Sequence, residues 1–63
     1  MKIPDKCKAI EVLYEDSTKE SFTTSSKTEE FDDSYEFEEK NGEDSSVIVL
    51  MKSEIRTIRF VKE

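Results

Sequence analysis

Residues 47–51 read Val-Ile-Val-Leu-Met, the longest apolar run in the chain, and this run decides the predicted fold. Five β-prone apolar residues without polar alternation indicate a strand that is covered on both faces. In a chain of 63 residues, the domain core supplies one cover. The other cover must come from a curled sheet or from a second subunit. The run is far shorter than the roughly 20 residues of a membrane span, so we expect no membrane partner.

Alternation of apolar and polar residues predicts a first hairpin near the N-terminus. Residues 7–15 place Ile10 and Val12 on one face, which is typical of a half-buried strand. After a turn, residues 19–24 can return antiparallel with Phe22 as their large inward side chain. Cys7, at the start of the first strand, is interpreted as a small buried hydrophobe.

The chain closes with a further predicted strand, residues 55–61, in which Ile58 and Phe60 share one face. The polar residues between this strand and the apolar run predict a single 3₁₀ turn, which Ser53 could cap.

Residues 27–40 are compatible with two structures. Ser26 and Glu29 have the spacing of a capping box, so a helix over residues 27–40 is one alternative. Against it, Asp and Ser within the segment are poor helix formers. The favoured structure is a strand over residues 35–39. Three aromatics, Phe31, Tyr35 and Phe37, share the parity of a strand face, with Asp33 as the exception.

The dipeptide Asn41-Gly42 predicts a hairpin turn, because Asn-Gly accepts the positive φ angles of a type I′ turn. A two-residue loop would place Lys40 opposite Glu43, which is favourable. The next pair along the two strands would place two acids opposite each other, which is unfavourable. A longer loop is therefore an equal alternative.

These patterns predict one all-β domain over residues 1–63, a small barrel or curled antiparallel sheet of about five strands. An α+β fold with the helix at residues 27–40 is the alternative. Chains this small are marginally stable and usually need disulfides, a metal or oligomerisation. One cysteine excludes an internal disulfide, and the absence of histidine excludes a Cys/His zinc site. We therefore expect a homodimer, and a cytoplasmic protein from the single thiol.

The C-terminal part carries a family resemblance. Residues 46–60, SVIVLMKSEIRTIRF, resemble the closing strands of Sm-like and SH3-like small β-barrel proteins of bacterial or phage origin. Residues 10–16, IEVLYED, are similar to the first strand and turn of such proteins. The resemblance implies a small barrel. The chain lacks the Asp-x-x-hydrophobic-Asn loop of RNA-binding Sm proteins and the aromatic cluster of peptide-binding SH3 domains, so it implies no ligand residue.

Negative charge is concentrated in residues 29–44, which carry nine acids and one lysine. The net charge of the whole chain is −6. This balance disfavours direct binding to nucleic acid or to a membrane surface. The block is either a solvated face that keeps the protein soluble, or a face that presents carboxylates where a nucleic acid presents phosphates. In the second case the partner-binding residues are Glu29, Glu30, Asp32, Asp33, Glu36, Glu38 and Glu39.

Catalysis is not expected. The chain has no histidine, the usual general base, and no evident room for a substrate cleft. Its acids lack the spacing of a calcium loop. We therefore assign no catalytic residue, no metal site and no cofactor.

The sequence favours a non-catalytic protein-binding module whose partner has a basic surface. Its most concrete form is a phage-type or mobile-element inhibitor that blocks a host defence or nucleic-acid-handling protein with an acidic, nucleic-acid-mimicking face. One alternative is a binder of a small anion such as a nucleotide, held at a subunit interface near Arg56 and Arg59. Others are a structural or assembly module and an adaptor in the barrel class of direct nucleic-acid binders. The basic C-terminal residues are expected to pair with acids on neighbouring strands: Lys52, Arg56, Arg59 and Lys62 with Glu11, Glu36 and Glu38.

Overall fold

A computed structural model describes residues 3–4, 7–24 and 27–62 of the protein. These residues form two antiparallel three-stranded sheets. The first sheet has the strand order β2-β1-β6 and the second the order β3-β4-β5. The strands are β1 (Cys7–Tyr14), β2 (Lys19–Thr23), β3 (Glu29–Glu30), β4 (Ser34–Asn41), β5 (Asp44–Met51) and β6 (Ile55–Lys62). A 3₁₀ turn, Lys52–Glu54, connects the two sheets. The all-β prediction is confirmed, and the described residues contain no α-helix.

The core lies between the inner faces of the two sheets. Aromatic rings meet edge to face across it, with ring centroids 5.2 Å apart for Phe22 and Phe37 and 5.7 Å apart for Tyr35 and Phe60. Each pair joins the first sheet to the second and adds about 0.5–1.5 kcal/mol beyond area burial. The buried cluster consists of Ile10, Val12, Phe22, Tyr35, Phe37 and Leu50.

The sheets are joined along one side and do not close into a barrel. A backbone bridge pairs Thr24, just after β2, with Glu39 of β4, and the Thr24 hydroxyl donates to the Glu38 carbonyl at 2.7 Å. Away from this junction, β5 pairs only with β4. A groove of about 340 Å³ opens there between β5 and the ends of β1 and β2. The prediction was a small barrel or a curled antiparallel sheet of about five strands; the described residues form an open sandwich of six strands and no closed barrel.

Two β-bulges interrupt the alternation of β1 and β6. The pairing of β1 with β6 shifts between Cys7 and Ala9, so that Cys7 and Ile10 are both buried although they are three residues apart. A second shift lies between Leu13 and Tyr14, and it leaves Arg56 unpaired in β6. Bulges of this kind bend a strand and re-aim its side chains.

The hairpin between β4 and β5 differs from the prediction by one residue. Asn41 pairs with Asp44, so the loop is Gly42-Glu43 rather than Asn41-Gly42, and no longer loop forms. Gly42 has a φ of 65°, and Glu43 is not among the residues with positive φ. Positive φ at the first central position alone, with glycine there, is the pattern of a type II′ turn.

The helix alternative for residues 27–40 is wrong, because the segment forms β3 and β4. Ser26, the proposed cap, lies outside the described residues. Phe31 does not share the inner face of Tyr35 and Phe37, since it falls in the turn between the strands and remains 47% exposed. The 3₁₀ turn is confirmed, but Ser53 does not cap it, because its N-cap is Met51 without a side-chain bond.

The prediction that a curled sheet covers the second face of residues 47–51 is wrong for the described part of the chain. Leu50 is buried and Ile48 half-buried in the core. The alternating residues Val47, Val49 and Met51 are exposed on the outside of the second sheet. A second subunit as the outer cover stays a prediction.

The positive φ angles of two turn residues predict opposite effects on stability for a substitution that removes a glycine and one that introduces a glycine. Gly42→Ala should destabilise the fold by about 1 kcal/mol, since an L-residue resists the positive φ at this position. Open space surrounds the added Cβ, so steric overlap contributes nothing. Ser17→Gly is the matched change, because Ser17 holds a φ of 73°; it should stabilise by a few tenths to about 1 kcal/mol. Urea unfolding of both variants measures the effect, and a Gly42→Ala midpoint equal to wild type would contradict the turn assignment.

Candidate protein-binding surface

Strand register places three of the predicted partner-binding acids on the outer face of the second sheet. Glu29 of β3 lies directly opposite Glu36 of β4, and Glu36 lies opposite Val49 of β5. Glu38, two residues further along β4, lies opposite Val47. Residues that pair directly across antiparallel strands project to the same side. The acids and valines therefore form neighbouring rows on one surface.

The β5 half of this surface is apolar and open to solvent. Val47 is 65% exposed, Val49 53% and Met51 43%, and the three alternate along a single strand. Contiguous exposed apolar side chains bordered by polar residues are typical of interaction sites. We call the combined surface the mixed face; it consists of Glu29, Glu36, Glu38, Val47, Val49 and Met51.

Like charges on the mixed face are placed unfavourably for stability alone. Glu29 and Glu36 oppose each other directly, an arrangement that destabilises a strand pair. Across residues 3–4, 7–24 and 27–62, neither carboxylate forms a salt bridge. The expected pairing of Glu36 with the basic C-terminal residues is thus wrong for the described part of the chain. Both carboxylates remain available to a positive partner.

The other predicted acids do not join this face. The Glu30 carboxylate accepts from the Lys52 ammonium at 2.6 Å, and the same ammonium lies 5.0 Å from the centre of the Tyr35 ring. The hydrogen bond that the ammonium donates to Glu30 raises the pKa of Lys52. The Asp33 carbonyl accepts from the Lys52 backbone at 2.8 Å. These contacts form one corner of the second sheet, where the turn holding Asp32 and Asp33 meets the 3₁₀ turn.

Glu39 is also separate from the mixed face. It is half-buried and follows the parity of the inward residues Tyr35 and Phe37. Its backbone forms the bridge to Thr24 that joins the two sheets. Its position therefore serves the fold directly. The seven predicted acids fall into three groups, and only one of them lies beside the exposed apolar row.

The two arginines of the proposed anion site lie in different concavities. Arg59 lines a shallow groove of about 620 Å³ on the outer face of the first sheet, where its guanidinium is 3.5 Å from the Glu11 carboxylate. This ion pair matches the sequence expectation. Arg56 lines a separate concavity of about 360 Å³ and donates to the Glu15 carbonyl at 3.1 Å. Within one protomer, the geometry does not bring the two guanidinium groups together.

The described residues hold no group of three or more potential metal ligands, and no helix among them is long and apolar enough to cross a membrane. Cys7 is buried, and burial raises the pKa of its thiol. Its Sγ lies 3.8 Å from the Pro4 carbonyl. Lys8 beside it is exposed, while Lys6 lies outside the described residues. A thiol with a raised pKa in this setting fits a packing role.

Comparison with known proteins finds no family model, no curated protein and no solved structure that matches the chain. The resemblance to Sm-like and SH3-like barrels therefore stays a prediction. The mixed face rests on its own geometry, without support from a relative.

Sequence reasoning missed the apolar half of this surface. Val47, Val49 and Met51 were assigned to a strand covered on both faces, and so they were not considered as binding residues. Their odd-number parity, shared with one another and opposite to that of Ile48 and Leu50, was the available signal. Without the length of the strand and its partner, parity alone could not show which row faced solvent.

A carboxylate also perturbs Tyr14, at the open side of the sandwich. The half-buried Tyr14 hydroxyl donates to the Glu20 carboxylate at 2.7 Å. Burial, this hydrogen bond and the nearby negative charges raise the pKa of Tyr14 to about 12. The neutral phenol is therefore the form that the folded state prefers.

This shift predicts a loss of stability at alkaline pH. Because the pKa of Tyr14 is higher in the folded than in the unfolded state, the neutral phenol stabilises the fold. This stabilisation is fully present below the unfolded pKa of about 10 and is lost as pH rises toward the folded pKa of about 12. Tyr14→Phe removes the titrating group, so its free energy of unfolding should fall less than that of wild type between pH 9 and 11. Urea titrations at each pH measure the difference. Parallel curves for the two proteins would contradict the assigned shift.

Proposed function

We propose that the protein is a non-catalytic binding module that docks on a protein partner through the mixed face. The observation that carries the proposal is the juxtaposition of the exposed Glu29 and Glu36 and the half-buried Glu38 with three exposed apolar side chains in one strand register. The partner carries a basic surface beside an apolar patch. In the most concrete form the module is a phage-type or mobile-element inhibitor of a host defence or nucleic-acid-handling protein.

Charge and apolar area have separate tasks on such a surface. Carboxylates speed the encounter with a basic partner and set its orientation, and they contribute less to affinity. Apolar side chains that become fully desolvated in the complex supply the affinity. The mixed face offers both in adjacent rows, with Glu36 beside Val49 and Glu38 beside Val47.

The acidic row supports the mimicry of nucleic acid in particular. Glu29 and Glu36 place two carboxylates side by side on neighbouring strands. Neighbouring strands in a sheet lie about 4.8 Å apart. Because both lack salt bridges among the described residues, their charge is directed at solvent. A cleft that binds phosphates would favour the same arrangement of negative charge.

Neutralising the acidic row should weaken partner binding. The triple variant Glu29→Gln, Glu36→Gln, Glu38→Gln keeps side-chain shape and removes three charges. After affinity capture from the source organism and identification of the partner by mass spectrometry, we expect its Kd to rise at least tenfold, equal to about 1.4 kcal/mol. The loss should come mainly from kon and shrink at high salt. Surface plasmon resonance measures both quantities.

A second triple variant serves as the control. Glu11→Gln, Glu15→Gln and Glu43→Gln change the net charge equally at exposed positions outside the mixed face; Kd should stay within about twofold. Equal losses in both variants would mean that net charge, and not the mixed face, governs binding. Competition with duplex DNA tests the narrower idea. A partner that binds the protein and DNA at the same time would contradict the mimicry while leaving the binding module intact.

A further inference from the structure

The outer edge of β5 is the one long edge in the described structure that lacks protection against pairing. Residues 45–51 contain no charge, no proline and no bulge. Proteins normally guard exposed edges with such devices, because an open row of backbone N–H and C=O groups pairs with other strands. The other edges are guarded: β6 carries Arg56, Arg59 and Lys62, β2 is short and β3 has two residues.

We propose that β5 pairs antiparallel with β5 of a second copy, which produces a continuous six-stranded sheet across a two-fold axis. The inference goes beyond the proposed function and requires no other partner. The mixed faces of both copies lie on the same side of the sheet only if odd-numbered residues of one β5 lie opposite odd-numbered residues of the other. The numbers of two opposed residues then have an even sum. Two such overlaps within β5 reach seven residues, one centred on Val47 and one centred on Ile48. The second spans residues 45–51 of both copies and leaves the charged Asp44 outside the paired segment, so we choose this register.

At its centre this register matches apolar residues with apolar residues, while at its ends Ser45 and Ser46 lie opposite Met51 and Leu50. Val47 lies opposite Val49 of the second copy, and Ile48 lies opposite Ile48. Four valines thus form a cluster around the axis from side chains that are largely exposed in the single chain. Each good cross-strand pair of this type contributes roughly 0.2–1 kcal/mol. The missing lateral neighbour of β5 is supplied without any change of fold.

Charge selects this edge-to-edge mode over the stacking of two mixed faces. Stacking would bring Glu36 and Glu38 against the same acids of the second copy, in a chain of net charge −6. In the edge-paired dimer, two β5 strands separate the acidic rows on β4 by three strand spacings, roughly 14 Å. That distance exceeds the Debye length of about 8 Å at physiological ionic strength. Repulsion is then largely screened.

The interface is small, which sets its expected strength. One strand edge buries less than the roughly 800 Å² per partner of a standard stable interface. We therefore expect a monomer–dimer equilibrium in the micromolar range. The dimer carries two acidic rows on either side of a central apolar strip, so it presents two mixed faces on one surface.

Directed cross-linking tests the register. In a Cys7→Ala background, Val47→Cys and Val49→Cys variants with different tags are mixed and oxidised. Opposed residues lie about 4.5–5.5 Å apart between Cα atoms, within disulfide range. Identical positions are diagonal, at about 7–8 Å, beyond that range. We expect the disulfide between the two variants to form in clear excess over either homodimer. No mixed disulfide, or equal yields of all three, would overturn the proposal.

Sedimentation equilibrium gives a second, independent measurement. Val49→Lys places a charge at the paired edge and should raise the dimer dissociation constant at least tenfold. Thr57→Lys adds the same charge on the exposed outer face of β6 and should change it less than twofold. Circular dichroism confirms that both variants fold. A wild-type chain that stays monomeric at millimolar concentration would reject self-pairing, and it would leave the partner-binding test of the mixed face unaffected.

Discussion

The structure depends on the packing of two small sheets through a handful of large side chains. Phe22 against Phe37 and Tyr35 against Phe60 connect the sheets across the core. A chain of 63 residues has few further apolar side chains with which to cover a second surface. The inner face of the second sheet takes the available cover, and its outer face receives none. The exposed row on β5 lies on the face that the described residues leave uncovered.

Most of the strands could be predicted from alternation, because one inward residue in two is the condition for a half-buried strand. Phe22, Ile58 and Phe60 were assigned to the inner face in this way, and they line the core or border it. The features that could not be predicted arise from pairing. A bulge lets Cys7 and Ile10 share a face, and the loop at Gly42 is shifted by one residue. Neither has a signature in local propensity.

The candidate site was predictable in composition and unpredictable in geometry. Seven acids within residues 29–39 mark a charged region, and β3 and β4 carry most of them. Register decides which of them act together: Glu29 and Glu36 become neighbours, while Glu30 turns to Lys52 and Glu39 serves the junction with Thr24. Cross-strand neighbours come from distant parts of the chain, so one-dimensional spacing cannot identify them.

The order of strands in the second sheet separates two requirements that otherwise conflict. Solubility and partner selection favour a dense row of carboxylates, whereas self-association requires that such rows stay apart. Glu36 and Glu38 lie on β4, one strand inside the edge, and the edge strand itself carries Val47 and Val49. Were the acids on β5, edge pairing would bring them into contact; were the valines on β4, an open edge would be charged and closed to pairing. The observed order permits an acidic surface and an unguarded apolar edge in the same three-stranded sheet.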